Sequence, residues 1–88
     1  MNAVITVLGR DRTGIIATVS NLLYKHGVNI LDISQTILSG VFTMIMLVEI
    51  GQDSQYDVVR AALMQTAEEM GLEIRMQRSD IFEAMHRI

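Results

Sequence analysis

Apolar residues recur along this chain with two periods, and the switches between them mark out the elements. Val4, Ile5 and Val7 lie in a nearly unbroken apolar run from Ala3 to Leu8, which predicts a strand shielded on both faces or nearly so. From Gly14 to His26 the period lengthens. Ile15, Ile16, Val19, Leu22 and Leu23 fall three or four residues apart and form one helix face, with Ser20, Asn21 and Lys25 mostly opposite. Gly27 follows directly and suits a left-handed stop. Val28 to Leu38 reads as a second strand with a faulty phase: Val28 and Ile30 share one face, while Leu31, Ile33 and Ile37 share the other. A bulge or twist would resolve the conflict.

Ser39-Gly40 is a tight-turn signal, and Val41 to Ile50 is a third strand. Phe42, Met44, Met46, Val48 and Ile50 line one face of it, while Val41, Thr43, Ile45 and Leu47 make a second, largely apolar face. A strand wet on one side does not look like this, so the second face is expected to meet something. A helix then runs to about Met70, with Ser54 and Asp57 at capping-box spacing. Val59, Ala62, Leu63, Thr66, Ala67 and Met70 point inward, and Gly71 ends the helix. Leu72, Ile74 and Met76 alternate with Glu73, Arg75 and Gln77 in a fourth strand.

The order strand, helix, strand, strand, helix, strand predicts an α+β, ferredoxin-like βαββαβ sandwich. Its four-stranded antiparallel sheet carries both helices on one face and leaves the other bare. The domain spans residues 1–78. Residues 79–88 form a separate tail, where Ile81, Met85 and Ile88 fall at i, i+4 and i+7 with Phe82 beside them. A helix this short is marginal in water. It is expected to dock, over the bare sheet face or on another subunit.

Composition narrows the function. The 88 residues suit one domain, and a 50% hydrophobic content is high for so small a chain, which suggests an apolar partner surface. The net charge is −3 with no basic run, which argues against nucleic acid. An RNA-reading sheet also needs exposed aromatics on its central strands, and Phe42 stands alone there. No cysteine is present, so disulfides, thiolate metal sites and thiol nucleophiles are excluded. No leader pattern and no apolar run near ~18 residues occurs, so a cytoplasmic location with no membrane contact is expected. His26 and His86 lie far apart without carboxylates at ligand spacing, so no metal or other cofactor is implied. The methionines read as adaptable packing.

The most informative stretch is Gly9-Arg10-Asp11-Arg12-Thr13-Gly14-Ile15-Ile16. Two glycines frame a charged loop that opens a helix. Such a loop offers unpaired N–H groups and the positive end of the helix dipole to a small anion such as a carboxylate. The plain alternative is structural: Asp11 caps the helix and Gly14 packs against a strand.

This loop, together with His26-Gly27-Val28-Asn29-Ile30 at its spacing downstream, resembles the ACT domain family over about residues 2 to 78. The loop matches the family's Asp-x-x-Gly-aliphatic signature. The tail Asp80 to Ile88 is similar to that of small bacterial proteins built from a single ACT domain. The resemblance implies a regulatory module that binds an amino acid or related metabolite at an interface between domains, acts as a homodimer and serves a metabolic enzyme or regulator. Backbone groups of Asp11, Arg12, Thr13, Gly14 and Ile15 would hold the ligand's carboxylate. Asp11 would meet its ammonium, and Asn29 would bond either group. Thr13 stands where many ACT domains have proline, so Thr13 or Asp11 is expected to cap the helix instead. Two other readings stay open. One is an assembly module without a ligand. The other is an acylphosphatase-like enzyme pairing Arg10 or Arg12 with Asn29, although it would lack that family's glycine-rich cradle. No catalytic constellation is otherwise evident.

Overall fold

A computed structural model describes residues 1–10 and 13–79. Six elements follow in order: β1 (Asn2–Arg10), α1 (Ile15–Lys25), β2 (Asn29–Leu38), β3 (Val41–Glu49), α2 (Asp53–Met70) and β4 (Glu73–Arg78). The strands form one antiparallel sheet in the order β2-β3-β1-β4. This is the expected ferredoxin-like architecture. Asp11, Arg12 and the tail expected from Asp80 onward lie outside the described residues.

The core sits between the sheet and the helices. Ala3, Ile5 and Val7 pair with Val48, Met46 and Met44, so these side chains share one face. Met76 and Ile74 extend that face across β4. Ile15, Val19 and Leu23 from α1, and Val59, Leu63 and Ala67 from α2, close over it in one buried cluster. Burying each large aliphatic side chain contributes roughly 1.5–3 kcal/mol, so this layer holds the fold together.

The phase fault in β2 is a bulge at Leu31. Ile30 pairs with Val48 and Asp32 with Leu47, so Leu31 is the unpaired residue between them. The extra residue turns Ile33, Gln35 and Ile37 to the helix side, opposite Met46, Met44 and Phe42. Asp32, Ser34 and Thr36 fall on the other face. The Ser39-Gly40 turn has φ values of 53° and 79°, the positive pair of a tight hairpin.

Three local expectations change. Gly14 itself is the N-cap of α1, with φ 92°, so the helix opens after a left-handed residue and not on Thr13. In α2 the N-cap is Gln52, and Ser54 lies inside the helix, not at its cap. Finally, β1 is shielded on both faces only near its start. On the side away from the helices Val4 is 7% exposed, but Leu8 is 38% exposed. Leu8, Ile45 and Val41 therefore belong to an apolar sheet face on which neither α1 nor α2 packs.

Candidate functional site

The N-terminus of α1 stands beside β2 and leaves a cavity of about 510 Å³ between them. Gly14, Ile15, Ile16, Ala17 and Ser20 line it from the helix, and Gln35, Ile37 and Phe42 from the sheet. The local sequence explains the opening. The first helical hydrogen bond runs from the Thr18 N–H to the Gly14 carbonyl at 2.9 Å. The N–H groups of Ile15, Ile16 and Ala17 precede it and have no acceptor within their own helix. No acidic side chain occupies the first turn of α1. The positive end of the helix dipole thus meets a largely apolar cleft whose side-chain polar groups are the Ser20 hydroxyl and the Gln35 amide.

The two glycines of the loop do different things. Gly9 lies within β1, where an added Cβ would come within 2.6 Å of Leu72 Cδ2, so the glycine permits close packing. Gly14 has nothing within 4 Å of such a Cβ, and its requirement is conformational, a φ of 92°. Packing against a strand therefore does not explain Gly14. A left-handed hinge that aims the helix start does.

Gly14 and Ile15 line the cavity, and exposed Thr13 adjoins them in sequence. Asn29 does not join them. It pairs with Glu49, while Arg10 at the loop end of β1 pairs with Val41. These positions are eight residues apart along β3, roughly 26 Å at strand rise. Within one chain Asn29 therefore lies at the opposite end of the sheet from Gly14. The same separation keeps Arg10 away from Asn29, so the acylphosphatase-like pairing through Arg10 does not form within the chain.

The sequence pattern missed Ser20, Gln35, Ile37 and Phe42 as cavity residues. Gln35 carried a signal, because it interrupts Ile33 and Ile37 on one face, but only once the bulge is placed. Ile16 is 38% exposed at the cleft, although the helical period assigned it to the core face. His26 caps the far end of α1, and its Nδ1–H donates to the Leu22 carbonyl at 2.9 Å. Among the described residues, no three His, Cys, Asp or Glu side chains are grouped to hold a metal. No described helix is long and apolar enough to cross a membrane.

On the opposite flank the strand edge is closed. The Tyr56 hydroxyl donates to the Met76 carbonyl at 3.0 Å and ties α2 to β4. Burial, opposed by the positive charge of Arg60, raises the Tyr56 phenol above its ordinary pKa of 10.0.

Comparison with known proteins agrees with this fold. The sequence profile of the ACT domain matches residues 2–77. A UPF0237 protein of Listeria monocytogenes is 46% identical over the full length of both chains. The ACT domain protein from Streptococcus pneumoniae superposes with a TM-score of 0.82 at 37% identity, covering 94% of each chain. The regulatory subunit of aspartate kinase from Thermus thermophilus superposes with a TM-score of 0.69 at 25% identity, over 86% of this chain and 49% of that one. The chain belongs to the ACT domain family.

Proposed function

We propose that this chain is a regulatory module that works as a homodimer and binds an amino acid at the junction of its two copies. The observation that carries the reading is the cleft between α1 and β2. It joins helix N–H groups that have no acceptor within their own helix, suited to a carboxylate, with apolar walls suited to a side chain.

The distant Asn29 fits the dimer. Strand β2 is an edge strand ten residues long, and every residue in it except half-buried Ile30 is exposed. Pairing two β2 edges antiparallel about a two-fold axis sets the Asn29 end of one copy beside the Leu38 end of the other. That arrangement brings the partner copy's amide toward the loop of residues 11–15. Asp11, Arg12, Thr13, Gly14 and Ile15 from one copy and the second copy's equivalent of Asn29 then complete one site. Regulation follows if the ligand prefers one arrangement of the two copies, or of the dimer and a partner enzyme or regulator, over another. The Thermus thermophilus relative is by name a regulatory subunit, which supports this reading.

The test is a thermal-shift screen over the L-amino acids, with light scattering at micromolar protein. A ligand at a hundred times its Kd should stabilise the dimer by about 2.7 kcal/mol. Asp11→Ala and Gly14→Ala should lose that stabilisation. No response to any amino acid, or a monomer at micromolar concentration, would overturn the proposal.

A further inference from the structure

The cleft between α1 and β2 changes character along its length. Strand β1 ends at Arg10, level with Val41 on β3, and α1 starts from that end of the sheet. Ile37 and Phe42 pair one step away and line the cavity together with Ile16 of the first helical turn. From there α1 runs toward the end where Asn29 pairs with Glu49. In that direction Ser20 follows Ile16 by one turn, about 6 Å along the helix. Gln35 is displaced the same way from Ile37, about 7 Å along the strand. Both line the cavity. The wall is therefore apolar beside the helix start and carries a hydroxyl and a carboxamide one step further on. Among the described residues, no charged side chain lines it.

We infer that the ligand is an amino acid whose side chain ends in a carboxamide, with glutamine fitting in length. The inference deepens the amino-acid reading above and rests on it. With the ligand's carboxylate at the helix start, its methylene stem passes Ile16, Ile37 and Phe42. Its end then meets Ser20 and Gln35. In extended glutamine four C–C bonds of about 1.5 Å set the two end carbons about 5 Å apart. Hydrogen bonds of about 3 Å at each end supply the remaining reach.

The chemistry at that end is self-complementary. A carboxamide both donates and accepts, so the Gln35 amide can exchange two hydrogen bonds with a ligand amide. The Ser20 hydroxyl rotates to serve either partner. Glutamate has the same length, but its second carboxylate would lose water against a wall that offers no cation. Lysine meets the converse problem, because the wall offers no anion. A straight aliphatic side chain fills the stem region but leaves the Gln35 amide without a partner where the ligand displaces water.

The test is isothermal titration calorimetry of the full chain with L-glutamine, L-glutamate, L-lysine and L-norleucine. Glutamine should bind roughly a hundredfold tighter than glutamate or lysine and roughly tenfold tighter than norleucine. This ranking needs no variant to fold. Gln35→Leu, at an exposed strand position, should weaken glutamine roughly tenfold while leaving norleucine at least as tight, so that the preference disappears. Equal or tighter binding of glutamate, lysine or norleucine by the parent chain would overturn the inference and leave the amino-acid reading standing. So would binding of other amino acids with none of these four. A preference for glutamine that survives Gln35→Leu would overturn the role given to that amide. No binding by any amino acid would overturn both readings together.

Discussion

The two strand–helix–strand halves of the domain share a plan and end differently. In the second half, α2 closes on the edge strand β4, and the Tyr56 hydroxyl occupies the Met76 carbonyl. That strand is six residues long and carries Glu73, Arg75 and Arg78, with Arg75 and Glu73 paired at 3.0 Å. In the first half, α1 stands off from β2 at the helix N-terminus and leaves the cavity. The edge there is ten residues long, its only charge is Asp32, and Leu31, Ile33, Ile37 and Leu38 are exposed. Natural sheets blunt their edges with short strands and charges. One edge here follows that rule, and the other, long and almost uncharged, does not. The asymmetry is the reason the proposed recognition site is assigned to the first half.

The largest expected effect breaks the open edge. Ile37→Lys places a charge on each side of the proposed two-fold interface, so it counts twice. It should weaken dimerisation at least a hundredfold, about 2.7 kcal/mol, in sedimentation equilibrium. Arg75→Leu on the closed edge should leave the dissociation constant unchanged. Equal effects at both edges would abolish the distinction.

A smaller effect is expected at the hinge of the open half. Gly14→Ala forces a Cβ into left-handed backbone, at a cost of about 1–2 kcal/mol in chemical denaturation. The substituted side chain meets no neighbour, so the loss should be conformational, with folding cooperativity retained.

The smallest effect belongs to the closed half. Tyr56→Phe removes one hydrogen bond and should cost roughly 1 kcal/mol at neutral pH. Its pH dependence has a definite sign. Because folding raises the phenol pKa, the Tyr56 contribution is complete below the ordinary value of 10.0 and is lost as pH climbs through the raised value. Parent and Tyr56→Phe stability curves should therefore converge in strongly alkaline solution. Parallel curves up to that range would remove the tie between α2 and β4 from the comparison.

Much of this was legible in the chain because burial imposes a period. Phe42, Met44, Met46 and Val48 alternate on β3 and all lie in the core. Val59, Leu63 and Ala67 repeat on α2 in the same way. Misreadings arose where tertiary contact overrides local pattern. Ile16 has the spacing of a core residue, but the helix start stands away from the sheet there. Ser54 has a capping side chain, yet the helix begins before it. The loop of residues 9–16 stood out by its two glycines, and its last three residues, Gly14, Ile15 and Ile16, do line the cavity. The cavity's other wall was not legible, because Gln35 and Ile37 reach it only through the bulge. Asn29 illustrates a limit of another kind, since its distance from Gly14 depends on strand register, which no local motif encodes.

The bulge at Leu31 also sorts electric charge. In a regular strand continued from Ile30, the next pairs would be Leu31 with Leu47 and Asp32 with Met46, turning a carboxylate to the helix side of the sheet beside the apolar core. One surplus residue keeps that anion on the face away from the helices and turns Ile33 and Ile37 to the helix side. Leu31 is therefore expendable in length though not in effect: a chain shortened by that single position would keep all downstream partners from Asp32 to Leu38. A deletion elsewhere in the strand would turn its remainder inside out.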